Sequence, residues 1–208
     1  MRNYIELLKD STSLNKQAYF QRLNGGQMTK EQFVLGQLEF YHAVVHFAKP
    51  MLAVASKLAS YEARWNIIEN VIEEHGNGNL GDTHGATFKL FMHKMGVNEV
   101  AFGNPGVAVS EFNKVLMDVC DSQDWMKSIA MLGIIEDRFS EISGKIGEAV
   151  IERGWLAKEE LVHYNTHEKL DIKHADDFYS LIDANWSNHQ KEIKDGLDLG
   201  NNAFLALY

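Results

Sequence analysis

Apolar residues along this chain recur by threes and fours, and alternation by twos is scarce, so the pattern predicts helices rather than strands. The longest run is Ile129, Leu132, Ile135, Phe139, Ile142, Ile146 and Val150. It lays one apolar stripe along a helix from Trp125 to Arg153, with Asp124 as its N-cap. Short helices are expected over Tyr4–Leu8 and Leu14–Leu23, the second ended by Asn24-Gly25-Gly26. Thr29 followed by Gln32 forms a capping box. It opens a long helix running toward Ser60, which Pro50 should kink. Another helix covers Arg64 to His75. Gly76, Gly78 and Gly81 then break the chain, and Asp82-Thr83 caps a helix from His84 to Met95. After a loop from Gly96 to Pro105, helices are expected over Val109–Cys120, Lys158–Tyr164, Thr166–Ile182 and Trp186–Leu207. Nothing reads as a linker or a repeat. The prediction is all-α: a single multi-helical bundle of about seven to eight helices over residues 1–208.

Composition narrows the function classes. The chain has 208 residues, 45% of them hydrophobic, enough for one well-buried core. With 20 basic against 29 acidic residues its net charge is −9, which disfavours a nucleic-acid partner. No run approaches the roughly 20 apolar residues of a membrane span, and the charged stretch Met1–Asp10 does not look like a signal peptide. A cytoplasmic protein with no membrane partner is the expectation. The one cysteine, Cys120, excludes an internal disulfide or a thiolate cluster and reads as a small buried hydrophobe.

Candidate chemistry lies in three places. His167-x-x-x-Asp171-x-x-His174 has offsets of four and seven, which put the three side chains within about 60° of one another on a helix. Phe178 and Leu181 continue that face, so two imidazoles and a carboxylate occupy positions that otherwise read as core. Burying an ionised carboxylate alone is costly, and a metal ion or an internal His–Asp pair would remove the cost. The second place is Glu74, with His84 ten residues on. Glu74 shares a face with Ile67 and Val71, whereas its neighbour Glu73 shares one with Asn66, Glu69 and Asn70 and is expected at the surface. The third is Glu136, flanked on the apolar stripe by Leu132 and Phe139. Such a glutamate needs a partner or must stay protonated.

Three nitrogens and three carboxylates suit iron or manganese better than a structural zinc site, which prefers cysteine, or an all-oxygen magnesium site. A ferritin-like arrangement is a competing reading. Glu39-x-x-His42 and Glu160-x-x-His163 have its spacing, with Glu74 and Glu136 between them.

The order of these elements resembles the haem-oxygenase-like diiron oxidases. Their pattern is a glutamate followed by x-Gly, a histidine about ten residues later, a glutamate on a later helix, and H-x3-D-x2-H near the carboxyl end. Glu74, His84, Glu136, His167, Asp171 and His174 match it over about Glu39 to Ile182. The resemblance implies a haem-oxygenase-like fold and those six residues as metal ligands. It implies two Fe(II) ions, with manganese as the substitute, and dioxygen as co-substrate. The implied activity is oxidation of a small organic molecule by N-oxygenation, oxidative decarboxylation or C–C cleavage. It also leaves room for a homodimer and an external electron donor. Some members draw a further carboxylate from the earlier long helix, where Glu39, His42 and His46 share a face without a clean match. The same fold houses thiaminase-like hydrolases and cofactor-free quinone-forming oxidases. The surroundings of Cys120 do not match the thiaminase nucleophile. A non-catalytic helical domain that binds a small molecule or a protein is the remaining alternative.

Overall fold

The computed structural model describes residues 1–98 and 101–208, and every regular element in them is helical. The part of the expected loop at 99–100 lies outside the described residues. Ten α-helices are found among the described residues, more than the seven or eight expected. Two boundaries moved: a split before Pro50 adds a helix, and a fusion at Asn165 removes one.

The chain opens with α1 (Arg2–Ser11) and α2 (Ala18–Asn24), joined by a 3₁₀ turn at Leu14–Lys16. The predicted capping box starts α3 (Lys30–Val44): Thr29 accepts from the Gln32 amide, and the Gln32 side chain accepts from Thr29. No single kinked helix follows. The chain breaks at residues 45–47 and restarts as α4 (Ala48–Ala55), with Pro50 third in that helix. A proline is tolerated in a first turn, where its missing N–H would have no helical acceptor, but its ring excludes the carbonyl four residues earlier. So the interruption falls upstream of Pro50.

Next come α5 (Tyr61–Glu74), capped by Ser60, and α6 (His84–Lys94), capped by Thr83, whose side chain accepts from the Ala86 amide at 3.2 Å. Then α7 (Val107–Asp121) leads to α8 (Trp125–Glu152), with Asp124 as its cap. The expected helices over 158–164 and 166–182 are instead a 3₁₀ turn at Lys158–Glu160 and one continuous α9 (Val162–Asp183). Asn165 explains the fusion. Its amide bonds back to the Leu161 carbonyl at 2.9 Å while its side chain caps the Lys158 carbonyl at 2.8 Å. The chain ends with α10 (Gln190–Leu205).

Helix α8 is the axis of the bundle. Its stripe from Ile129 to Val150 is buried almost throughout, and α9 and α10 lie along it. Close approach is built in: a Cβ on Gly196 would sit 2.3 Å from the Lys127 carbonyl oxygen, and one on Gly200 would sit 2.6 Å from that of Met131. Cys120 is fully buried in α7, as expected, and burial pushes its thiol up to about 12. No helix among the described residues is long and apolar enough to cross a membrane.

Candidate metal centre

Four helices bring the six candidate residues to one place. Glu74 is the last residue of α5 and His84 the first of α6. Between them Gly76 adopts φ +66°, and a Cβ there would fall 2.6 Å from the backbone of Asp82. Only glycine takes this conformation without strain at so close an approach. The tight turn returns His84 to Glu74, and its Nδ1 lies 2.8 Å from Glu74 Oε1. Glu136 comes from the middle of α8, and His167, Asp171 and His174 from one face of α9. All six are buried.

The groups pair with one another. His167 Nδ1 lies 2.9 and 3.0 Å from the two Asp171 oxygens. Asn70 donates to Glu136 at 3.0 Å. His174 Nδ1 faces both Glu136, at 3.7 Å, and Asp171, at 3.8 Å. Glu136, Asp171 and His174 each present one donor atom, all within 4.8 Å of one another. The His84 and His167 rings pack at 4.3 Å between centroids, joining the Glu74–His84 pair to the other residues.

Burial and mutual charge drive these groups apart in protonation. Asp171 is raised well above the carboxylate range by burial and then by the nearby Glu136 charge. Glu136 is lowered despite burial, because the His174 imidazole stands beside it and Asn70 donates to it. Burial, reinforced by His84, drops His167 to about 3. Burial also opposes the charged form of His174 and of His84, yet carboxylates prevail at both. Glu136 lifts His174 to about 9, and Glu74 raises His84.

Do these residues fit a metal? Two buried imidazole nitrogens, Nε2 of His167 and Nδ1 of His174, have no hydrogen-bond partner. A buried polar atom left unpaired is costly, and bare nitrogens beside clustered carboxylates are what a coordinated cation would satisfy. The nitrogen and oxygen donors suit iron.

Three further observations bear on the sequence readings. Glu73 is not a bystander at the surface: its Oε2 lies 2.5 Å from His174 Nε2, with the carboxylate about one-fifth exposed at 21%. The ferritin-like set does not assemble. Glu39 is exposed and accepts from the Gly106 amide at 2.6 Å, and Glu160 accepts from Ala157 at 3.0 Å. His163 of that set is fully buried, but beside the other cluster. Its ring packs 4.3 Å from His167, and its Nδ1 meets the Thr87 hydroxyl at 3.1 Å. It extends the ligand face of α9 by one turn, a spacing readable in the sequence.

A cavity adjoins the cluster, with an empty volume of ≈ 400 Å³ including the part open to solvent. Glu74, His84, Glu136 and His167 form one side, and Phe40, Phe112, Phe139 and Phe204 wall another. Phe47, in the break between α3 and α4, is partly exposed where the other lining residues are buried, and so marks the mouth.

Comparison with known proteins agrees with this geometry. The family described as an iron-containing redox enzyme matches residues 37–201. A protein named 4-aminobenzoate synthase from Chlamydia trachomatis serovar D is 24% identical over 86% of this chain and 78% of its own. Its namesake from Chlamydia muridarum is 25% identical over 79% and 70%. That from Chlamydia pneumoniae is 23% identical over 88% and 82%.

Proposed function

Since the chain belongs to the iron-containing redox enzymes with a haem-oxygenase-like fold, and is an oxidoreductase, we propose that it holds two ferrous ions and uses dioxygen to oxidise a small organic substrate. The observation that carries this reading is the meeting of Glu136, Asp171 and His174 beside the unpaired nitrogens of His167 and His174. In this reading His84, His167, His174, Glu74, Glu136 and Asp171 would hold the irons. When bound, the iron pair would supply electrons for dioxygen activation.

The remaining work falls to the chain itself. Phe40, Phe112, Phe139 and Phe204 exclude water and offer ring faces to an apolar substrate. Asn70 holds one Glu136 oxygen and so fixes the carboxylate's orientation. Phe47 screens the mouth. The apolar walls suit an aromatic ring, and the relatives' name makes formation of 4-aminobenzoate the first activity to assay. Manganese is the expected substitute metal. The proposal includes a cytoplasmic setting, an electron donor outside the chain, and room for a homodimer.

The test is iron content. Anaerobically reconstituted protein should take up close to two ferrous ions per chain, and His167→Ala or His174→Ala should lower the number. Full loading in both variants would remove the assignment.

A further inference from the structure

The two adjacent glutamates at the end of α5 reach different helices. Glu74 turns toward His84 on α6, and Glu73 reaches across to His174 on α9. The contact at His174 is asymmetric. Nε2 meets Glu73 Oε2 at 2.5 Å, whereas Nδ1 has no hydrogen bond and faces the gap between Glu136 and Asp171 at 3.7 and 3.8 Å. An ionised carboxylate can only accept, so the imidazole N–H must point at Glu73. The other nitrogen, Nδ1, is then the one that faces the two buried carboxyl groups and would be open to a cation once its proton is lost.

We propose that Glu73 is the positioning residue that fixes His174 in the Nε2–H tautomer, so that His174 meets iron through Nδ1. The proposal rests on the diiron reading above. A metal-bound histidine whose second nitrogen donates to a carboxylate is held in ring orientation and made a stronger donor, and loss of such a partner costs about 10–100-fold in metal affinity. Glu73 reaches this ring from the partly exposed rim of the site. It can therefore be changed without opening the core, and Asn70 keeps its own bond to Glu136.

The experiment compares Glu73→Ala and Glu73→Gln with wild type by anaerobic ferrous-iron titration and by imidazole ¹⁵N shifts of the metal-free protein at a pH where His174 is neutral. The alanine variant should bind iron about 10–100-fold more weakly. Its His174 shifts should lose the Nε2–H signature, while the metal-free melting temperature stays near that of wild type. Glutamine still offers a carbonyl acceptor, so it should restore most of the affinity and the tautomer. Iron affinity within twofold of wild type in Glu73→Ala, or equal losses in both variants, would overturn the proposal. His174→Ala separates the two levels. If it leaves iron loading intact, the diiron reading fails; if it lowers loading but Glu73→Ala does not, only the positioning role fails.

Discussion

Replacing Asp171 with asparagine should make the metal-free protein more stable and the iron site worse. Asp171 is fully buried, and burial together with Glu136 raises its pKa well above the ordinary carboxylate range. At neutral pH the unfolded chain ionises this group freely, with a pKa of about 3.9. The folded chain must either keep a proton on it or bury its charge. Asparagine has the same shape, carries no charge, and still accepts from His167 Nδ1, which now lies 2.9 Å from Asp171 Oδ1. Each unit by which folding raises the Asp171 pKa costs about 1.4 kcal/mol above the raised value, a cost that asparagine avoids. A gain of about 2 kcal/mol in a chain of this length raises the melting temperature by about 4–8 °C. The sign with pH follows from linkage. The folded state binds the extra proton, so wild-type stability falls as pH rises from about 4 toward the raised folded value. The advantage of Asp171→Asn should therefore be small near pH 4 and larger at pH 7. Thermal melts of chelator-treated protein at both values, with iron analysis of reconstituted samples, measure it. A variant that melts below wild type at pH 7, gains equally at both pH values, or loads iron fully would refute the reasoning.

Glu74→Ala should cut ferrous loading and, in the metal-free protein, lower the pKa of His84. Burial then acts there without the opposing Glu74 charge, and an imidazole NMR titration reads the change. Gly196→Ala should cost about 1–3 kcal/mol from overpacking, because its Cβ would fall 2.3 Å from the Lys127 carbonyl. Iron bound per folded chain should not change, since α10 carries none of the six residues; a melt and a metal assay together check this.

Periodicity made much of this architecture legible. The stripe from Ile129 to Val150 is buried as expected, and the caps at Thr29, Thr83 and Asp124 form. The misreadings came from positions with two physical meanings. Pro50 was read as a kink, but a proline in a first turn breaks the chain before it. Asn165 looked like a boundary because asparagine favours caps and turns, yet here its side chain caps the preceding turn while its backbone continues α9. The face of α5 bearing Asn70 and Glu73 read as solvent because it is polar. It is in part an internal polar interface: Asn70 is 2% exposed and holds Glu136, and Glu73 holds His174. Polarity alone does not separate a wet face from one that packs against a charged site, because both avoid apolar residues. The apolar neighbours of Glu74 gave a usable signal; Glu73 had none, since its partner lies 101 residues away.

These internal partnerships also offset the cost of burying so polar a face of α9. Polar groups facing a core would be expected to loosen α9, since their desolvation needs compensation. Here the compensation is local. Asp171 takes His167, Glu74 takes His84, Asn70 takes Glu136 and Glu73 takes His174, and α9 runs unbroken from Val162 to Asp183. The cost appears elsewhere. A cation held by His84 through Nδ1 would displace the His84–Glu74 contact, so part of its coordination energy would be offset by the pair it breaks. It must also drive off the protons that these pairs hold, which makes iron affinity rise with pH. The nitrogens with no hydrogen bond to give up are Nε2 of His167 and Nδ1 of His174. A cation would therefore meet the unpaired nitrogens of α9 without first breaking the Glu74–His84 pair.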